Sequence, residues 1–418
     1  MANKVRTSPS GTFVDLLASD IINDSDAPGE SLADALDDIE NTLFASEENG
    51  SPGYVSRFVW VHPNSDRIGT QFAGVEVTAA PVAWLTEADM PPGNDFWWIQ
   101  YGAAGGSGSG CANRGATGEA TLRGGGPSGG GYRHEWRRSR ADLIASLPIF
   151  FEVPLGGSAG TPVIANGTTT IPGNPGIVGG TNVIAGIKLR ETAYGGGPGD
   201  GGAEDMTGSA GAGGGLLSAG GSGTEGGIPN DASTLTSNTQ YWLNGGCPAN
   251  TRDSVGTSGT SNYGLNGGAG GGSNEDADTL VHGGRSKRGG CGGGHGGRYS
   301  LDTGLVAASA SEGGNHEVEA IGNPNGGGGG EPGTSNGESG HAGADGSVTE
   351  GGEGGGGGFA GEGASSGTAV GGRGGAGGFP AGGSGGGGPG YSSGASGTAT
   401  SGAGFKGGDG ATILTILV

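Results

Sequence analysis

Whatever chemistry this chain performs must come from a small set of residues. Tyr241 and Trp242 form an aromatic pair between polar segments, and Tyr263 and Tyr299 follow further along. Aromatic rings present large, stiff areas that stack on sugar rings and anchor interfaces, so these residues are candidates for receptor binding. The bland alternative for Trp242 is a plug at the end of a packed body. Cys291, His295 and His282 could supply three metal ligands, but they lack the paired CxxC or HxxxH spacing of a built site, and no metal or cofactor is expected. Arg133, His134, Arg137, Arg138 and Arg140 make the one dense basic cluster. It suits an acidic polysaccharide or a lipopolysaccharide phosphate. Pairing with Asp and Glu of a neighbouring subunit or partner protein is the better reading. Carboxylates are plentiful enough for a glycosidase pair, whose spacing only a fold can set. The chain nevertheless lacks the many regular Val and Ile strands of a β-helix hydrolase. It also has no GxxxxGK[ST], since none of its lysines follows a glycine and precedes Ser or Thr. GGDG at Gly407 to Gly410 is not repeated in tandem, so it reads as a turn before the last strand, not a calcium nonapeptide. No enzyme is expected.

The elements that must hold these residues are dictated by composition. Of 418 residues 108 are glycine, only 31% are hydrophobic and 6% aromatic, so most of the length cannot build an ordinary core. Glycine loses more freedom on ordering than any other residue, and the default for such a composition is disorder. The competing reading is that glycine runs such as Gly326 to Gly330 and Gly354 to Gly358 lie in the polyproline II conformation and bond side by side through their main chains. Collagen is set aside, because the segment from Gly351 to Gly363 keeps no three-residue glycine period. A net charge of -22 disfavours nucleic acid and anionic membranes. The odd, widely spaced Cys111, Cys247 and Cys291 argue against a disulfide framework. The amino terminus lacks the apolar core of a signal peptide, so synthesis in a cytoplasm is expected.

The overall expectation is a mainly β and irregular chain. A short N-terminal helical segment comes first, then a small β region, then a glycine-rich bundle of polyproline II-like rods with protruding loops, closed by a C-terminal strand. Residues 1-53 form the helical attachment and oligomerisation region. Phe13, Leu16, Leu17 and Ile21 fall at helical spacing over residues 12 to 22. Leu32, Leu36, Ile39 and Leu43 alternate steps of four and three, as in a coiled-coil seam, which predicts a small homo-oligomer, a trimer favoured, or else a helix packed on its own chain. Residues 54-194 are β-rich with the first glycine tracts, and Arg57 to Val61, Val75 to Ala79, Asp95 to Gly102, Leu147 to Gly157 and Thr181 to Gly199 read as strands. In such a strand Trp97 and Trp98 point to opposite faces. Residues 133 to 143 interrupt this pattern as an insert. Residues 195-410 are the glycine-rich body, whose loops are the segments Pro229 to Asn244, Pro248 to Asn266 and Arg298 to Asn325. Residues 411-418 form the closing strand, which needs a partner at Asp95 to Tyr101 or Leu147 to Val153 and therefore implies a body that goes out and comes back.

The order of features, DFWWIQYGAAGGSGSG, GGGPSGGGY, LPIFFEVPLGG, GIVGGTNVI, AYGGGPGDGG and the closing GGDGATILTILV, resembles the glycine-rich domain of bacteriophage tail fibres and minor tail proteins over about Phe58 to Val418. GESLADALDDIENTL resembles the short helical segments that join tail fibres to their virion-attachment regions. The chain departs in its long RHEWRRSRADL insert and in lacking a repetitive shaft. The resemblance implies a virion tail protein made in the host cytoplasm. A phage tail or adaptor protein would bind its N-terminal region, and a bacterial surface polysaccharide or outer-membrane protein would be its receptor. A purely structural minor tail or decoration protein is the first alternative, and an ice- or surface-binding glycine-rich protein a remoter one.

Overall fold

The strand Asp95–Tyr101 carries large apolar side chains on both of its faces, which only a strand buried on both sides can satisfy. It lies inside a six-stranded sheet ordered Arg133–Ser139, Asp95–Tyr101, Ala411–Leu417, Tyr54–Val61, Val75–Ala79, Gln71–Phe72. All neighbours are antiparallel except Tyr54–Val61 with Val75–Ala79. These features come from a computed structural model that describes residues 3–6, 13–16, 54–115, 121–206, 208–215, 218–221, 241–242, 250–251, 263–264, 272–273, 283–301, 310–311, 313, 338–363, 368–394 and 397–417. Among these residues helix is confined to Arg140–Ile144 and a single 3-10 turn at Glu87–Asp89, so the chain is mainly strand and irregular.

The closing strand pairs where the sequence required, with Leu414 opposite Trp98 and Ile413 opposite Ile99. On one face of this sheet, Trp60, Phe96, Trp98, Trp136 and Leu414 pack against Trp84, Ile149, Phe151 and Ile184. The latter belong to a four-stranded antiparallel sheet ordered Leu189–Ala193, Asn182–Gly186, Ile149–Glu152, Ala83–Trp84. Aromatic geometry fixes the contact: Trp98 stacks on Trp136 at 5.0 Å and 8°, and Trp84 meets Phe151 edge-on at 4.9 Å. On the other face Trp97, Ile99, Tyr101 and Ile413 join Phe379 and Ala381, which come from the glycine-rich body. Trp97 and Trp98 thus serve opposite cores.

Beyond Tyr101 the chain keeps its hydrogen bonds without forming strands, and the pattern has a period of three. Gly102, Gly105, Gly108 and Cys111 donate to the carbonyls of Tyr132, Gly129, Gly126 and Arg123. Ala103, Gly106, Ser109 and Ala112 donate to Gly180, Ile177, Asn174 and Ile171; Ala104, Ser107 and Gly110 donate to Gly408, Phe405 and Gly402. Each class of residue faces its own neighbouring run, and further runs bond to the carbonyls, as Gly157 and Gly160 do to Ala104 and Ser107. Such close approach explains the glycine. A Cβ on Gly106 would collide with the carbonyl of Ser158, and one on Gly108 with that of Asp200. Where serine replaces glycine, its hydroxyl stays inside the network: Ser107 Oγ donates to Gly385 O at 2.6 Å and accepts from Phe405 N at 2.7 Å.

The structure corrects three expectations. Phe13–Leu16 is a strand paired antiparallel with Asn3–Arg6, not the start of a helix, and Leu17 and Ile21 lie outside the described residues. The supposed insert begins as the strand Arg133–Ser139 at the edge of the main sheet and continues as the helix Arg140–Ile144. Its charges hide the alternation, because Arg133 is itself buried, opposite Tyr101, while Trp136 is buried on the other face against Trp98. The third loop begins inside the packed body, since Arg298–Ser300 pairs antiparallel with Thr121–Arg123.

Candidate functional site

Two of the candidate aromatic positions are brought together by the backbone. Tyr241–Trp242, Tyr263–Gly264 and Arg285–Ser286 form a parallel ladder in which Tyr241 is in register with Tyr263 and Tyr263 with Arg285. The positions 241, 263 and 285 advance by a constant step of 22, and Asn250–Thr251 pairs in parallel with Gly272–Ser273 at the same step. The sequence carries the corresponding repeat in YWLNGGC from Tyr241, YGLNGGA from Tyr263 and RSKRGGC from Arg285. The positions of Tyr241, Tyr263 and Arg285 therefore lie in one row across the ladder. The repeat was legible in the sequence, but in a chain this rich in glycine the GG pairs mask the YxLN spacing.

The ladder continues directly into the glycine network. Ser286 is buried, Gly292 N donates to Gly284 O at 3.0 Å, and Gly290 and Gly293 donate to Gly131 and Ser128 of a run adjoining the main sheet. The last turn of the ladder is therefore fixed to the rest of the molecule by main-chain bonds.

Tyr299 is placed otherwise. It is 2% exposed, its ring stacks on Tyr391 at 4.7 Å, and its hydroxyl donates to Glu362 Oε1 at 3.1 Å. Burial and the neighbouring carboxylate raise its hydroxyl above the ordinary tyrosine value. Tyr299 belongs to a packed cluster with Cys111, Leu122 and Phe359 and is not a surface ligand. Leu32, Leu36, Ile39 and Leu43 lie outside the described residues, as does His282. Cys291 is buried, His295 Nδ1 lies 2.8 Å from Gly296 O, and no metal-binding group of three side chains occurs among the described residues. Burial pushes the Cys111 thiol up to about 12, which leaves it inert. In GGDG, Asp409 accepts from Ser65 Oγ at 2.7 Å and from Gly156 N at 2.8 Å and pairs with Lys406, so it ties three segments together.

The basic cluster finds its partners within the chain, which corrects the expectation of an intermolecular acid. Glu191 takes Arg138 and His134, each at 2.8 Å; Arg140 pairs with Glu87 at 3.0 Å; buried Arg133 pairs with Glu135. Arg137 lies over the Trp97 ring at 4.8 Å. Arg137, Arg138 and Lys188 do line an open groove of about 500 Å³, together with Ser139, Ser146, Asp95 and Asp142. Carboxylates offset cations there, so the groove is polar without a strong sign. In comparisons with known proteins the chain matches no family model and no curated protein.

Proposed function

We propose that this chain is a non-enzymatic bacteriophage tail fibre protein whose glycine-rich body is a bundle of polyproline II rods holding a receptor-binding surface away from the particle. Polyproline II has three residues per turn and no internal hydrogen bonds, so a rod of it must bond outward in three directions. The period of three around residues 102–112 supports this reading. Residues 1-53 attach the fibre to a tail or adaptor protein and associate with other copies through Leu32, Leu36, Ile39 and Leu43.

The observation that carries the receptor role is the in-register placement of Tyr241 beside Tyr263, on a ladder anchored to the glycine network. Adjacent aromatic positions on a stiff support suit the stacking faces of a surface glycan or the apolar patches of an outer-membrane protein. Several copies per virion would turn weak contacts into avidity. The test is adsorption of particles carrying Tyr241→Ala with Tyr263→Ala. Loss of adsorption of tenfold or more with normal assembly is expected. Unchanged adsorption by well-assembled particles would sink the receptor role and leave a structural spacer.

A further inference from the structure

The four-stranded sheet buries one face and leaves the other bare. Inward-facing Trp84, Ile149 and Ile184 are 3%, 0% and 0% exposed, whereas outward-facing Phe150 is 52% exposed, and Leu85 and Ile187, just beyond the strand ends, are 64% and 72% exposed. The register explains how these residues meet. Phe150 pairs with both Ala83 and Ala185, and Ala185 pairs with Arg190, so these positions form one row across the sheet. Glu152, Val183 and Thr192 form the next row on the same face. Exposed Phe150 with half-buried Ala83, Val183 and Ala185 gives this face an apolar centre.

Two charges flank this patch. Arg190 and Glu152 are both exposed, and neither side chain makes an ion pair or hydrogen bond among the described residues. They stand two strands and two residues apart. At strand spacings near 4.8 Å and rises near 3.4 Å per residue, this separates them by about 12 Å. The spacing suits a pairing between chains. A two-fold axis lying in the plane of the face, midway between the two charges, would pass between Val183 and Ala185 and run beside Phe150. It would bring Arg190 of each copy over Glu152 of the other, the reciprocal arrangement an isologous interface requires.

We propose that the outer face of this sheet is a self-association surface that seats a second copy of the chain. Phe150 sits at its centre, and two reciprocal Arg190–Glu152 ion pairs set its register. The surface uses no residue of the segment 31–44 or of the Tyr241–Tyr263 ladder, so it stands whether or not the receptor role does. Its effect is to double whatever assembly the rest of the chain makes.

Light scattering or sedimentation of the full chain, from about 1 to 100 µM, tests it. Phe150→Asp, Arg190→Glu and Glu152→Arg should each halve the mass, while the charge-swapped double variant Arg190→Glu with Glu152→Arg should restore it. These side chains are exposed, so near-UV circular dichroism should stay unchanged. If Phe150→Asp fails to fold, the charge series decides alone. A mass unaffected by the single variants, or a swapped double variant that remains at half mass, would overturn the proposal.

Discussion

Gln100 Nε2 donates to Asn182 Oδ1 across 3.0 Å, with both side chains fully buried. Asn182 Nδ2 in turn lies 2.9 Å from Ala411 O and 3.2 Å from Tyr101 O, and Gln100 Oε1 accepts from Trp136 Nε1 at 2.7 Å. Tyr101 and Ala411 are the last register pair of the main sheet before both strands pass into glycine runs. The amide therefore serves main-chain groups at the seam between two kinds of architecture.

Replacing Asn182 by Leu keeps the branched shape, adds bulk, and strands these acceptors and the Gln100 donor in a dry site. Each orphaned buried group costs about 1–3 kcal/mol, so a loss of about 3 kcal/mol is expected from urea denaturation. A loss below about 1 kcal/mol would mean that the seam does not depend on this amide.

The glycine network predicts a sharp contrast between glycines. Gly108→Ala places a methyl against the Asp200 carbonyl, where neither side is a flexible side chain that could yield. Overpacking of this kind should cost about 3 kcal/mol and speed amide exchange at its partner Gly126. Gly167 is exposed with nothing near its Cβ position, so Gly167→Ala should stay within about 0.5 kcal/mol of the parent. Equal effects at the two positions would rule out a tightly packed body.

How much of this could be read from the sequence depends on what each element buries. Asp95–Tyr101 and Ala411–Leu417 were legible, pairing included, because a strand covered on both faces must be apolar throughout and the candidate partners were few. Arg133–Ser139 was not, because it is an edge strand whose charges are satisfied by Glu135 and Glu191, one of them distant in sequence. The Phe13–Leu16 strand was misread because Phe13 and Leu16, three apart, fit a helical face, and a four-residue strand is too short to show alternation. For the candidate site, the identities of Tyr241 and Tyr263 were visible and their adjacency was not. Tyr299 looked equivalent to them in sequence, and only the packing of Tyr391 and Glu362 around it separates its role from theirs.

Buried tyrosines make the fold sensitive to alkali. Burial pushes the hydroxyls of Tyr101 and Tyr132 up to about 12 from the ordinary value of 10. The fold holds the neutral phenol, so this contribution to stability is complete below pH 10 and is lost as pH rises through 12. Tyrosinate absorbance should therefore develop partly with unfolding, between pH 10 and 12. Among the described residues Tyr101 Oη makes no hydrogen bond of good geometry, and buried Arg133 is the charged group beside it. Tyr101→Phe should then change stability at pH 7 by no more than about 1 kcal/mol and move the alkaline midpoint upward. A downward move would contradict desolvation as the cause.

Tyr299 and Trp242 allow packing and recognition to be separated by mutation. Tyr299→Phe keeps the stack on Tyr391 and loses one hydrogen bond to a carboxylate, a cost of about 1–2 kcal/mol; Tyr299→Ala also empties the cluster and should cost about 3–5 kcal/mol. Neither should alter adsorption per correctly folded particle, because the ring is enclosed. Trp242→Ala should behave in the opposite way, lowering adsorption while thermal unfolding stays within a few degrees of the parent. Both quantities can be measured on the same particle preparations. Should Tyr299→Phe particles fold normally yet adsorb poorly, the enclosed ring would have to open to a ligand, and the division of labour argued from its burial would fail.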